Sequence, residues 1–67
     1  MYAGIDIGSL TAKIVLVNER GKIIASELIQ VLPNPLESAR ELIRRLSEKK
    51  KIKWKEVKYA VSTGYGR

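Results

Sequence analysis

Residues 33–37, Pro-Asn-Pro-Leu-Glu, separate two kinds of hydrophobic periodicity and so constrain the order of the secondary structure. Before this stretch, apolar residues alternate or run together over short segments, which is typical of β-strands. After it, they recur every three or four residues, as on one face of an α-helix. Asn34 can cap that helix, and Pro35 suits its first position. The chain is therefore predicted to change from strands to a helix at this point.

Three strands are predicted before the helix and one after it. The strands cover residues 2–7, 11–18, 23–31 and 57–63, and the helix runs from about 35 to about 50. Short turns join the first three strands as an antiparallel meander, whereas the helix is a crossover that places strand four parallel to strand one. The predicted fold is α/β, with element order βββαβ and a mixed sheet of order 3-2-1-4 with one crossover helix. We expect strand 11–18 to be central and covered on both faces.

The chain of 67 residues is sufficient for one small domain and contains neither cysteine nor histidine. A core of this size is only marginally stabilising, and no disulfide can assist it. The same absences exclude zinc sites, iron–sulfur ligation and cysteine–histidine nucleophile pairs within these residues. In the predicted order, strand 57–63 is an apolar strand at the sheet edge, which is typical of an incomplete domain. We therefore expect residues 1–67 to be a single partial domain.

The apolar segments are too short to indicate a membrane protein. None approaches the roughly 18 residues that a membrane-spanning helix requires. The first residues also lack the basic and apolar regions of a secretion signal. Together with the absence of cysteine, these features predict a cytoplasmic protein without a membrane segment.

The net charge of +6 comes almost entirely from one segment. Between residues 49 and 58, six lysines stand against one glutamate, whereas the rest of the chain is close to neutral. Such a segment, with Trp54 inside it, is compatible with a small nucleic-acid-binding module. It also suits the C-terminal end of a helix, with Trp54 packed over that end. Because nucleic-acid modules usually spread basic and aromatic residues over a whole face, we do not expect a nucleic-acid partner and keep this function as an alternative.

The turn between the first two strands has more polar chemistry than a hairpin requires. Residues 6–13 have the pattern D-x-G-S-x-T-x-K. It is not a Walker A loop, which needs G-x-x-x-x-G-K-[ST] before a helix. The alternative interpretation is a plain hairpin turn with a surface lysine at position 13. Against that alternative, a hairpin does not require a carboxylate at position 6, late in a strand that is otherwise apolar.

Each polar residue of this turn suits a phosphate ligand. Asp6 can hold a hydrated Mg²⁺, and Lys13 can neutralise phosphate charge. Gly8 allows a ligand to approach the backbone closely because it has no Cβ. The hydroxyls of Ser9 and Thr11, together with N–H groups of the turn, can donate hydrogen bonds to phosphate oxygens. The turn is therefore predicted to be part of a nucleotide site.

Two motifs resemble those of a known superfamily. D-x-G-S-x-T-x-K between strands one and two resembles the first phosphate loop of the actin, sugar-kinase and heat-shock chaperone ATPases, which have a ribonuclease H-like fold. Thr-Gly-Tyr-Gly-Arg at 63–67 narrows the resemblance to the activator ATPases of 2-hydroxyacyl-CoA dehydratases and benzoyl-CoA reductases. The similarity covers the whole chain. A sugar or acid kinase of the same superfamily is the alternative, and the second motif argues against it.

The resemblance implies ATP and Mg²⁺ as cofactors. It implies Asp6 and Lys13 as catalytic residues, with Asp6 holding Mg²⁺ through water. The residues implied to bind the nucleotide are Gly8, Ser9, Leu10, Thr11, Lys13 and Gly64. Leu10 stands where the family often has threonine, so that one hydroxyl is absent.

The resemblance also implies partners. In that family the activator is a homodimer with one [4Fe-4S] cluster between its subunits, and ATP hydrolysis drives an electron to the dehydratase or reductase. The cluster cysteines, the second phosphate loop and the adenosine pocket are expected later in a longer parent protein. We therefore expect residues 1–67, as its N-terminal part, to bind ATP weakly or not at all and not to hydrolyse it. The open edge of strand four could pair with its copy in a dimer.

Overall fold

A computed structural model describes residues 1–63 of the chain, and the predicted element order βββαβ is present in them. The elements are β1 (Tyr2–Ile7), β2 (Thr11–Val17), β3 (Ile23–Gln30), α1 (Pro35–Lys49) and β4 (Lys58–Thr63). A 3₁₀ turn at Trp54–Glu56, which the sequence did not predict, precedes β4. Every predicted strand and helix boundary lies within one residue of the observed one.

The four strands form one mixed sheet in the order β3-β2-β1-β4, as predicted. β1 pairs antiparallel with β2, and β2 pairs antiparallel with β3. β4 pairs parallel with β1, because α1 carries the chain back to the starting end of the sheet. Within residues 1–63, no helix combines the length and hydropathy that crossing a membrane requires.

The helix α1 begins and packs as its sequence indicates. The Oδ1 atom of Asn34 accepts a hydrogen bond from the backbone N–H of Leu36 at 2.8 Å, which caps the first turn. Leu42 and Leu46 are fully buried against the sheet. With them, the core consists of Ala3, Ile5, Ile7, Ala12, Ile14, Leu16, Ile29 and Val57. One face of the sheet is therefore covered by α1.

The opposite face of the sheet, which we call the open face, is not covered by any of the described residues. Val15 and Val17 of β2 lie on it and are only half-buried. The prediction that β2 is covered on both faces is therefore wrong for residues 1–63, although β2 is central. The physical reason is that a single helix can cover only one face of a sheet.

An ion pair connects the edge strand β3 to the helix. The side chain of Glu27 is 13% exposed and forms an ion pair with Lys49, with Nη1 of Arg45 3.9 Å from Oε1 of the carboxylate. Glu27 lies opposite Ile14 in the register, so that it points to the helix-covered face. A glutamate at this position of β3 therefore meets the helix rather than open water.

Candidate phosphate-binding site

Strand pairing brings the two predicted catalytic residues together. Asp6 of β1 lies directly opposite Lys13 of β2 in the antiparallel register. Both side chains are exposed on the open face, and Thr11 lies on the same face two residues before Lys13. Asp6, Thr11 and Lys13 therefore share one face of the sheet.

Asp6 and Lys13 do not neutralise each other in the structure. Neither residue forms an ion pair within 4.0 Å with another of the residues 1–63. The Asp6 carboxylate is exposed, so that burial does not by itself demand a functional explanation for it. Both charged groups are accessible to a ligand that approaches the open face.

The turn between β1 and β2 uses one of its own predicted donors. The N–H of Gly8 donates a hydrogen bond to the carbonyl oxygen of Thr11 at 2.8 Å. A Cβ atom at Gly8 would lie 3.3 Å from the same oxygen. Glycine is therefore favoured at this position because the Thr11 carbonyl lies so close, and no ligand is needed to explain it. The Gly8 N–H is consequently not free to donate to a phosphate.

The tip of this turn consists of Ser9 and Leu10, and both are exposed. In residues 1–63 only Gly21 has a positive φ value, so that neither tip residue adopts the left-handed conformation common in backbone anion nests. The side chain of Leu10 is 79% exposed. The tip therefore presents the hydroxyl of Ser9 to solvent, while Leu10 adds an apolar side chain and no hydroxyl.

A depression of about 420 Å³ lies on the open face beside Asp6. Gly4, which has no side chain, and Ala60, which has only a methyl group, leave the space at its base open. A Cβ atom at Gly4 would meet nothing within 4 Å. Polar and apolar groups surround the base, namely Asp6, Lys13, Ser62 and Val15.

Ser62 is the polar residue at this depression that the sequence analysis did not assign. It lies opposite Asp6 in the parallel register of β1 and β4. The signal that could have identified it was the parallel pairing, since residues that are paired across a sheet point to the same face. Lys13, Asp6 and Ser62 thus form a row across β2, β1 and β4.

The donor groups at the depression suit one kind of metal ion. Among residues 1–63 there is no cluster of three histidine, cysteine, aspartate or glutamate residues that could enclose a metal. Asp6 is the single carboxylate at the depression. One carboxylate suits Mg²⁺, which keeps several waters and takes its other ligands from phosphate oxygens. These residues therefore fit a hydrated Mg²⁺ and do not fit an ion that needs a full protein cage.

The remaining predicted nucleotide-binding residue, Gly64, lies outside the described residues, as does most of the motif at 63–67. Thr63 is the last residue of β4 and is exposed.

Trp54 in the basic segment makes structural contacts. Its Nε1–H donates a hydrogen bond to Oγ of Ser47 at 2.8 Å. Its ring also stacks on Tyr59, with centroids 6.1 Å apart and an interplanar angle of 15°. The prediction that Trp54 packs over the end of the helix is confirmed, and these contacts compete with stacking of Trp54 on a nucleic-acid base.

Comparison with known proteins supports the resemblance carried by the two motifs. No protein-family model matches the chain. The chain is 37% identical over 68 residues to an activator of lactoyl-CoA dehydratase from Anaerotignum propionicum, and this match covers 100% of the chain and 26% of the relative. The chain thus spans about a quarter of the length of the curated relative that it matches. Over its whole length the chain is therefore similar to an activator of a 2-hydroxyacyl-CoA dehydratase, which is the resemblance that its two motifs predicted.

Proposed function

We propose that residues 1–67 form the first phosphate-binding part of an ATP-hydrolysing activator of a 2-hydroxyacyl-CoA dehydratase or a benzoyl-CoA reductase. The observation that carries the proposal is the pair Asp6–Lys13, placed opposite each other and exposed on the open face next to the β1–β2 turn. The 37% identity to an activator of lactoyl-CoA dehydratase supports the same role.

Each residue of the turn has a distinct task in the proposed site. Asp6 would accept hydrogen bonds from the waters of Mg²⁺, and that ion, when bound, supplies positive charge to the phosphate oxygens. Lys13, which is next to Asp6 on β2, would neutralise negative charge on the phosphate. The hydroxyls of Ser9 and Thr11 would donate to phosphate oxygens, and Leu10 would contribute its backbone N–H. With Gly64, these are the residues that we propose for nucleotide binding.

The proposed site is incomplete in these residues alone. The open face is in contact with solvent, and charge interactions at such a surface are weak compared with those in a closed cleft. The chain contains no cysteine and so supplies no thiolate ligand to an iron–sulfur cluster. Dimerisation, electron transfer and contact with the dehydratase or reductase would therefore depend on further residues of a longer protein.

A chimera tests the function directly. Residues 1–67 would replace the matching segment of the Anaerotignum propionicum activator. We expect the chimera to hydrolyse ATP and to activate lactoyl-CoA dehydratase, whereas the same chimera with Asp6→Asn would lose both activities. The matched control is the chimera that keeps Asp6 and carries Ser26→Ala. Ser26 also lies on the open face, on β3 opposite Val15, but it is not part of the row of Lys13, Asp6 and Ser62.

Two outcomes would contradict the proposal. One is a folded chimera that does not activate the dehydratase. The other is a chimera in which Asp6→Asn retains full ATPase activity.

For the 67-residue chain by itself, isothermal titration with Mg-ATP is expected to show no micromolar affinity, and micromolar binding would show that the site needs no further residues.

A further inference from the structure

Ser62 occupies a position at the candidate site that neither a hairpin nor the core requires. It is exposed, and its hydroxyl forms no hydrogen bond with any other of the residues 1–63. It lies opposite Asp6 in the register and at the same depression. Its side chain is therefore available to a ligand that Asp6 also contacts.

The spacing of the two side chains suits a hydrated ion rather than a bare one. Neighbouring strands lie about 4.8 Å apart, and side chains that are directly paired across them are separated by a similar distance. Two oxygens at this spacing can accept hydrogen bonds from different waters of one ion. A serine hydroxyl both accepts and donates, so that it can accept from such a water and donate to a phosphate oxygen.

The depression provides the room that this arrangement needs. The volume accessible to water in it is about 420 Å³, and one water needs only about 10–15 Å³ of such volume. Because Gly4 and Ala60 form the base, no bulky side chain displaces waters beneath Asp6 and Ser62. The site can therefore hold an ion together with several of its waters.

We propose that Ser62 is a further metal-positioning residue, which accepts a hydrogen bond from the hydration shell of the divalent cation held by Asp6. This inference rests on the proposed function, since it assigns a residue to the same site. In the row across the sheet, Asp6 and Ser62 hold the hydrated ion, and Lys13 lies on the other side of Asp6.

Mn²⁺ titration of the ¹⁵N-labelled 67-residue chain tests the inference without an activity assay. Mn²⁺ replaces Mg²⁺ and broadens the amide NMR signals of nearby residues. We expect broadening at Asp6 and at its neighbours on β4, and we expect Ser62→Ala to raise the apparent Kd for Mn²⁺ about threefold to tenfold, the loss of one hydrogen bond. Ser62→Thr keeps the hydroxyl and should stay within about twofold of the original Kd.

The control variants separate this inference from the function on which it rests. Ser26→Ala should leave the Kd unchanged, and Asp6→Asn should abolish the broadening. If Ser62→Ala binds Mn²⁺ as the original chain does while Asp6→Asn does not, the role of Ser62 is overturned and the proposed site at Asp6 stands. If Mn²⁺ broadens no signal at this face, or if Asp6→Asn changes nothing, the inference about Ser62 fails, whereas the proposed function is decided by the chimera and its Asp6→Asn variant. If Ser62→Ala unfolds the edge strand, Ser62→Cys replaces it in the test. The thiol is a weak hydrogen-bond acceptor, so that this variant should also raise the Kd for Mn²⁺.

Discussion

Asp6 of β1 and Lys13 of β2 are paired directly across the sheet, and both side chains are exposed on the open face. Opposite charges at paired positions usually stabilise a sheet by a modest amount. Here no ion pair within 4.0 Å joins these two described residues. The arrangement therefore leaves a carboxylate and an ammonium group side by side and available to one ligand.

Replacing Lys13 by methionine tests the role of its charge. In the chimera with the Anaerotignum propionicum activator, we expect Lys13→Met to weaken Mg-ATP binding about tenfold or more, because a hydrogen bond to a charged phosphate is lost. Isothermal titration measures this affinity. Lys22→Met is the matched control, since Lys22 lies in the turn between β2 and β3, at the other end of β2. Equal losses from both variants would point to a general effect of charge.

Two glycines of the first hairpin should respond to alanine in opposite ways. At Gly8, the added Cβ would lie 3.3 Å from the Thr11 carbonyl oxygen that accepts the Gly8 N–H, so that this oxygen cannot move away without weakening the hydrogen bond. We expect Gly8→Ala to lower the free energy of unfolding by about 1 kcal/mol. At Gly4 the Cβ meets nothing within 4 Å, and Gly4→Ala should raise that free energy by about 0.4–1 kcal/mol. Urea denaturation of both variants measures these free energies. A Gly8→Ala variant that is more stable than the original chain would contradict the close contact between residue 8 and the Thr11 carbonyl.

The buried Ser38 is a second stability test. Its side chain is 0% exposed, and its Oγ accepts a hydrogen bond from the backbone N–H of Leu32 at 2.8 Å. Ser38→Ala leaves this N–H without its acceptor, and we expect a loss of about 1–3 kcal/mol in the free energy of unfolding. The exposed Ser26→Ala should change it by less than about 0.5 kcal/mol. Chemical denaturation followed by circular dichroism measures both, and similar values for the two serines would be inconsistent with the structural role of Ser38.

The ion pairs of Glu41 on α1 should make the free energy of unfolding depend on pH. Hydrogen bonds from Arg44 and then from Arg45 lower the pKa of Glu41 from its ordinary 4.5 to about 2. Because the folded-state pKa is the lower one, this stabilisation is present above about pH 4.5 and is lost as the pH falls towards about 2. We expect Glu41→Gln to flatten the change of unfolding free energy across this interval. The comparison is urea denaturation at several pH values, and an unchanged slope would contradict the assigned role.

The order of the elements could be predicted from the sequence because it depends on local signals. The change of period at Pro33 and Pro35 marked the helix, and the crossover that it creates required a parallel strand β4. The pairing of Asp6 with Lys13 was not predicted, because it depends on the register of the β1–β2 hairpin rather than on the alternation of side chains along one strand.

The features that could not be predicted depend on tertiary packing. The side chain of Leu36 is 57% exposed, although it is apolar, because the buried face of α1 is the row Ser38, Leu42 and Leu46, and Leu36 does not lie in that row. Apolar residues on both faces of β2 suggested two covering layers, whereas the described residues supply only one. Ser62 was not predicted as a site residue, because its position beside Asp6 depends on the register between β1 and β4, and a local sequence pattern does not determine that register.

The exposure of β4 has a consequence for the order in which the site assembles. All six residues of β4 are exposed, and β1 is its single strand neighbour in residues 1–63. Strands with few buried contacts open at the lowest free-energy cost, and their amide protons exchange first. When β4 separates from β1, Ser62 leaves Asp6 while Lys13 stays, since the β1–β2 hairpin has its own pairing. Any chain segment that adds a strand to the outer edge of β4 would therefore hold Ser62 beside Asp6, and would couple docking at that edge to the affinity of the proposed metal site.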